Sequence, residues 1–243
     1  MAVHGGEAGA MTAGWGLLES EVRGAPATHY AAALELAPGP AAGARLLELG
    51  AGHCEMAQLF RERGWRVHTA DLEVVCVREA AGFGFPAVQV DLNDGLPFAD
   101  AAFDLVVMLE VIEHVLRAEA ALAEVARVLR PGGRLLLSTP NHAFYKSRIR
   151  MLKGRPLGME GEHVRFFVKA QLERLLAERG LRLVGRNSSG HLPLMDSRPL
   201  RRLLGRPRVL CRIPERLEAS CALNFVWLAE RAAGPVPRRG VSP

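Results

Sequence analysis

Four acidic residues, Glu48, Asp71, Asp91 and Glu110, stand at or just past the ends of short apolar runs, and Gly50 and Gly52 follow the first of them. Glycine lets a backbone approach a ligand with no side chain in between. Asp71 lies about twenty residues past the glycine loop, where a carboxylate is placed to accept hydrogen bonds from both hydroxyls of a ribose. A dinucleotide loop carries a third glycine three residues after the second, beside the pyrophosphate. Here that position is Glu55, whose charge repels a diphosphate. Glu48, ahead of the loop, suits a ligand bearing an amino group and a sulfonium rather than phosphates. Taken alone, Asp71 is equally explained as a helix N-cap.

A second group is Glu110, Glu113 and His114. Residues three and four apart share a helix face, so Glu110 is expected to gather with both others. Two carboxylates and an imidazole can hold Mg²⁺, Mn²⁺ or Zn²⁺. Acidic residues at a helix N-terminus need no metal to explain them, and the expectation is a site that works without one. His114 and His163 are the candidate general bases, because histidine titrates near neutral pH.

The elements that must position these residues alternate. Thr28 to Ala37 reads as a helix closed by Pro38-Gly39-Pro40, and Arg45 to Leu49 as a strand. A helix with Met56, Leu59 and Phe60 on one face stops at Gly64, and a strand from Arg66 to Ala70 ends at Asp71. Glu73–Ala81 is a helix, and Ala87–Val90 and Asp104–Leu109 are strands, the last apolar enough to be buried on both faces. Leu122, Val125, Ala126 and Leu129 recur at helical spacing until Pro131-Gly132-Gly133, and Arg134–Ser138 is a strand. Residues 141–165 read as a long basic irregular stretch suited to a substrate lid. A helix through Leu172, Leu175 and Leu176 ends at Gly180, and Leu181–Gly185 and Ala222–Leu228 are the last two strands.

This order predicts an α/β fold: a single Rossmann-like doubly wound sheet, mostly parallel with an antiparallel last strand. Ligands bind such sheets beyond the C-terminal ends of the strands, which is where the acidic residues fall.

The 243 residues suit one domain, expected over 15–231, with tails at 1–14 and 232–243 and substrate-side insertions at 141–165 and 190–216. No apolar run is long enough to span a bilayer, and the start lacks the pattern of a signal peptide. Cys54, Cys76, Cys211 and Cys221 show neither metal-ligand spacing nor a disulfide framework. Free thiols suit a reducing cytoplasm, the expected location. The net charge of +5 is concentrated late, at Arg198, Arg201, Arg202, Arg206, Arg208, Arg212 and Arg216. That cluster reads either as a solvated loop or as a face for an anionic substrate, nucleic acid or membrane.

Four stretches together resemble the class I S-adenosylmethionine-dependent methyltransferases. LLELGAGHCE is similar to their glycine motif, FDLVVMLEVIEHV to their fourth strand, VLRPGGRLLLSTPN to the turn and strand that follow, and HVRFFVKAQLERLLAERGL to the next helix region. The resemblance covers about residues 28 to 188 and is nearest the ubiquinone-biosynthesis O-methyltransferase-like group. It implies S-adenosylmethionine as cofactor. Gly50, Ala51 and Gly52 would run beneath its methionine part, with Glu48 ahead of them and Tyr30 near its carboxylate. Asp71 and Leu72 would hold the ribose, Asp91 and Leu92 would flank the adenine, and Leu109 and Glu110 would line the wall near the sulfonium. It also implies a metal-binding version of the E-x-x-E-H stretch, with Glu110, Glu113, His114 and His163 as candidate ligands. One departure stands out: Cys54 occupies the place of the motif's last glycine.

The function expected is methyl transfer to a small-molecule or lipid-linked acceptor at oxygen. An RNA 2′-O-methyltransferase with a metal site is the alternative, weakened because residues 198–216 lack aromatics to stack bases. A binding module without turnover is the other, resting on Cys54. The sequence does not specify the acceptor or the oligomeric state.

Overall fold

The computed structural model describes residues 29–156, 163–193 and 211–234. The expected tail at 1–14, most of that at 232–243, and the arginines from 198 to 208 lie outside the described residues. Helix α1 is His29–Leu36, followed by β1 (Arg45–Leu49), α2 (Glu55–Glu62), β2 (Arg66–Asp71), α3 (Val74–Gly82), β3 (Ala87–Gln89) and β4 (Phe103–Leu109). A 3₁₀ turn at Ile112–His114 leads to α4 (Ala118–Val128), β5 (Leu129–Pro140), α5 (Tyr145–Leu152) and α6 (Lys169–Ala177). The chain ends in β6 (Leu181–Arg186), β7 (Ser189–Gly190), β8 (Cys211–Arg212), α7 (Glu215–Cys221) and β9 (Ala222–Arg231).

All the strands form one sheet in the order β3-β2-β1-β4-β5-β9, with β6 and β7 sharing the outer side of β9 and β8 beyond β7. The pairs from β3 to β5 are parallel, and β9 runs antiparallel to β5. The mostly parallel Rossmann-like sheet with an antiparallel last strand is therefore as the sequence predicts.

Successive strand residues point to opposite faces, and the sheet has a core on each. Val106 and Met108 pack with Leu135, Leu137 and Trp227 under α4 and α6, while Leu105, Val107 and Leu109 pack with Leu46 and Leu136 under α1 and α2. Each such side chain contributes about 1.5–3 kcal/mol on burial. This two-sided burial is why β4 reads as a continuous apolar run rather than an alternating one.

Two local expectations are corrected. The helix α4 stops at Val128, not at the proline-glycine turn: Leu129 already pairs with Phe103, and Arg134 is the next residue in register, opposite Leu105. Residues 130–133 therefore bulge from the strand, because a sheet partner was available to Leu129 and outweighed its helical spacing. The stretch expected to be irregular contains α5.

Strand β9 is secured at its start by α7. Asn141, just past β5, donates through Nδ2 to the carbonyls of Glu218, Ala219 and Ala222 at 3.3, 3.2 and 2.9 Å, satisfying acceptors that a helix end leaves open. The Glu218 carboxylate accepts from Ser188 Oγ, from Trp227 Nε1 at 2.7 Å and from Arg186 Nη1 at 2.7 Å. Lys169 Nζ lies 3.2 Å away. Among the described residues no helix is long and apolar enough to cross a membrane.

Candidate active site

Strand β1 pairs with β2 on one side and β4 on the other, so chain order reverses beside it and a crevice opens past its C-terminal end. Gly50 has φ 69° and donates its N–H to Ala70 O at 2.8 Å. A Cβ there would lie 2.4 Å from Val111 Cγ2, so only glycine lets the loop close against the stretch after β4. Gly52, with φ 48°, faces open space: a Cβ would meet nothing within 4 Å. That is the bare backbone surface a ligand needs.

The Asp71 carboxylate is fixed by two backbone donors, Gly52 N to Oδ2 and Glu73 N to Oδ1, each at 2.9 Å. Each oxygen keeps a further lone pair. Glu73, not Asp71, holds the N-cap position of α3, so Asp71 ties the glycine loop to β2 rather than capping a helix. Cys54 takes φ 63° and ψ 20°, the left-handed conformation that favours glycine. Its side chain is buried, and burial, then the field of Glu48, pushes its thiol up to about 12. The residue thus reproduces the backbone of the missing glycine and sends its thiol into the core among the Leu46 and Phe60 cluster.

Glu48 is buried, and its Oε2 has no hydrogen-bond partner. Burial first, then Asp71, raises its pKa to about 8 against the opposing backbone donor of Ala57. Tyr30, on α1, stands in the field of Glu110, Glu55, Glu48 and Glu113, and burial together with those charges holds its phenol well above the usual range. Helix α1 therefore brings Tyr30 to the acids of the crevice. Ala51 is buried within the loop, and Leu72 is exposed.

Past β3, Asp91 Oδ1 accepts from Asn93 N at 2.8 Å and Nδ2 at 2.7 Å, and Asn93 Oδ1 accepts from Arg117 N at 2.9 Å. Asp91, Leu92, Asn93, Pro97 and Arg117 line an open depression of about 630 Å³. None of the histidines past β4 and β5 borders it.

The stretch after β4 departs from the expected helical face. Glu110 has φ 54° and is followed by the 3₁₀ turn, so helical spacing does not apply to it. Its Oε1 accepts from Ser138 Oγ at 2.6 Å and its Oε2 from Asn224 Nδ2 at 2.7 Å. Each oxygen thus has a partner on β5 or β9, and Glu110 is not among the residues whose ligand-type atoms cluster.

That cluster is Glu113, His114 and His163, whose ligand-type atoms all lie within 4.8 Å of one another. Glu113 is completely buried; its Oε2 accepts from Thr139 Oγ1 at 3.0 Å and its Oε1 has no partner. Burial, then Glu110, raises its pKa to about 8. The Glu113 carbonyl accepts from Val164 N and Arg165 N at 3.0 and 2.9 Å, which clamps the strip beginning at His163 to the turn. The His114 and His163 rings meet edge to face at 4.8 Å, and His142 lies 6.0 Å from His163 and 4.7 Å from Phe166. Burial and the neighbouring His163 hold His142 below the ordinary histidine range.

His142 reads in the sequence as a residue of the turn after Pro140-Asn141; the fold makes it part of the histidine group. Ser138, Thr139 and Asn224 had no sequence signal at all, because their partners are 26 to 114 residues away. Arg212, one of the expected cationic cluster, pairs instead with Glu35 on α1 at 2.6 Å.

A methyltransferase-domain family model matches residues 22–186. The chain belongs to that family. A Mycolicibacterium smegmatis protein named as an S-adenosylmethionine-dependent methyltransferase is 36% identical over 143 residues, 57% of this chain and 52% of that one. A ubiquinone/menaquinone biosynthesis C-methyltransferase of Rubrivivax gelatinosus is 36% identical over 106 residues, 42% of each chain. The matches thus span about half the length of these relatives. A methyltransferase structure from Thermotoga maritima superposes with a TM-score of 0.61 at 19% identity, covering 89% of this chain and 95% of that one. This methyltransferase fold is class I, and S-adenosylmethionine is the cofactor its family implies. The residues present fit that cofactor: an uncovered glycine backbone, a doubly anchored Asp71 and a buried Glu48 with one oxygen unpartnered.

Proposed function

We propose that this methyltransferase acts on a hydroxylated aromatic acceptor, small or lipid-linked and quinol-like, and methylates the ring carbon beside the hydroxyl. The observation that carries this reading is the cluster of buried Glu113 with His114 and His163, and His142 beside His163, past the ends of β4 and β5. The sequence pointed to oxygen. The C-methyltransferase name of a relative favours carbon, and both outcomes start with loss of the same hydroxyl proton.

When bound, the cofactor supplies a methyl carbon already activated by its sulfonium. Gly50 to Gly52 and Asp71 hold and orient it, and Tyr30 and Glu48 border its methionine end. Alignment of the two reactants is the larger share of the rate, about 7–11 kcal/mol in favourable cases. One of His114 and His163 accepts the hydroxyl proton, which raises electron density on the oxygen and on the adjacent ring carbon alike. Burial, then His163, holds His142 below the ordinary histidine range, and it is not assigned the proton. As the carbon–carbon bond forms the methyl–sulfur bond breaks, leaving the thioether; the ring proton then passes to water, aromaticity returns, and the protonated histidine gives its proton back to the oxygen.

The test is turnover with a panel of hydroquinones and naphthols, reading S-adenosylhomocysteine and the product by mass spectrometry and NMR. His114→Ala and His163→Ala should each lower kcat by about 10²–10⁴ while thermal stabilisation by S-adenosylmethionine persists. Cofactor binding with no turnover on any hydroxyaromatic would overturn the acceptor class. A methyl ether as product would restore oxygen as the target.

A second reading is favoured by the spacing of Glu113, His114 and His163. These three would hold a divalent cation, which would orient the hydroxyl and lower its pKa. Glu110 is not a ligand in this version. Loss of activity in EDTA, with recovery on one added metal, would support it.

A further inference from the structure

Helix α5 (Tyr145–Leu152) buries none of its residues. Its first turn is half-covered, where Tyr145 stacks on buried Phe144 at 4.7 Å, but every residue from Arg148 to Pro156 is exposed. Leu152 is 87% exposed, Met151 56% and Ile149 46%. Solitary exposed apolar residues are ordinary; three in four positions on a helix that leaves the body of the protein are not.

The face is organised. Tyr145, Ile149 and Leu152 lie at i, i+4 and i+7, one stripe of the helix. Lys146, Arg150 and Lys153 flank it on one side and Arg148 on the other. No acidic residue occurs between Glu124 and Glu160. Arg148, Arg150, Lys153 and Arg155 form no ion pair among the described residues.

The helix does not stand by itself. His142, three residues before it, takes the Phe167 carbonyl on its N–H at 3.1 Å and packs its ring on Phe166. This puts the strip 163–168 beside the entry to α5, and there Val164 and Phe166 are also exposed. The one cation of that strip, Arg165, is already neutralised by Glu119 at 2.8 Å. Among the described residues, the positive charge of Arg148, Arg150, Lys153 and Arg155 therefore collects on and just after α5, next to exposed apolar side chains and close to the histidine group.

We infer that α5 is a membrane-docking helix, which lies in the headgroup layer of a bilayer containing anionic phospholipid. The apolar stripe enters the acyl boundary and the flanking cations meet the phosphate groups, the arrangement that holds an amphipathic helix at an interface. Positive charge complements an anionic surface, which a purely apolar groove does not offer. Docking there turns the histidine side of the crevice toward the bilayer, and the proposal does not depend on which acceptor is methylated.

The test is co-sedimentation of the full chain with vesicles of phosphatidylcholine alone and of phosphatidylcholine with phosphatidylglycerol. Partition should favour the anionic vesicles and fall with salt. Lys146→Gln, Arg148→Gln, Arg150→Gln and Lys153→Gln should each lower it about fivefold, the effect of about 1 kcal/mol per basic residue near the surface. Ile149→Ser with Leu152→Ser should abolish it without altering the thermal midpoint, since neither side chain is buried. In Leu152→Trp, the added emission should shift to the blue on addition of anionic vesicles. A wild-type chain that stays in the supernatant, or variants that partition like wild type, would overturn the proposal. So would a concentration-dependent dimer lost in the double serine variant, which would make a second copy the occupant.

Discussion

At the junction of α7 and β9, the Glu218 carboxylate is almost wholly buried and takes three hydrogen bonds, two of them from neutral donors and one from Arg186, with Lys169 beside it. Beside the glycine loop, Glu48 is as deeply buried and one of its oxygens has no donor; Glu113 repeats that pattern among the histidines. Burial pushes all three carboxyls upward. At Glu218 the donors Ser188, Trp227, Arg186 and Lys169 outweigh it and hold the group below the usual carboxylate range, whereas Glu48 and Glu113 rise to about 8. Similar burial with opposite outcomes separates a carboxylate that holds the fold together from carboxylates left with capacity for a ligand. An unpartnered polar atom costs stability, and for Glu48 and Glu113 that cost falls in the crevice.

The sharpest way to break the comparison is Glu218→Ala. It leaves the buried Trp227 and Ser188 donors without their acceptor and takes one partner each from Arg186 and Lys169, and unfolding in urea should show a loss of about 3–5 kcal/mol. A loss below about 1 kcal/mol would mean that the network is not structural.

Next in size is Asp71→Ala. At about a hundred times its Kd, S-adenosylmethionine should stabilise the wild type by about 2.7 kcal/mol. The variant should lose that gain while NADH shifts neither protein. Equal stabilisation of both proteins would remove Asp71 from the site.

The pH dependence separates the two regions by sign. Glu48 has a raised pKa, so its contribution is fully present below the unfolded value near 4.5 and is lost as pH rises toward 8. Glu218 has a depressed pKa, so its contribution is present above 4.5 and is lost as pH falls. Glu48→Gln should therefore flatten the decline in stability between pH 5 and 8 by about 1 kcal/mol per pH unit and also weaken cofactor binding. Denaturant midpoints across that range measure it. An unchanged slope would show Glu48 to be ionised at neutral pH.

The smallest effect is expected for Cys54→Gly. Relief of a left-handed backbone, about 1 kcal/mol, is offset by loss of the buried thiol, so stability should stay within about 1 kcal/mol of wild type and cofactor affinity should be unchanged. A marked gain in affinity would show that the thiol disturbs the loop.

Local chemistry was legible wherever cause and effect lie close in sequence. Gly50, Gly52 and Asp71 announce a ligand loop because a bare backbone and a diol acceptor are properties of residue types at short spacing. The unbroken apolar run of β4 announced a strand buried on both faces. Leu129 misled because its helical spacing was real, yet its sheet partner Phe103 is 26 residues away.

The sequence by itself determined the alternation of strands and helices, the glycine loop and the acids at the strand ends, since these follow from backbone conformation and side-chain periodicity. Only the tertiary structure decided what each acid does. Ser138 and Asn224, from two other strands, claim Glu110; no donor reaches Glu48 Oε2; His163 comes to Glu113 and His114, with His142 beside it. Burial and the supply of hydrogen-bond donors are set by neighbours distant in the chain, and those two quantities fix whether a carboxylate is charged, satisfied or left open to a ligand.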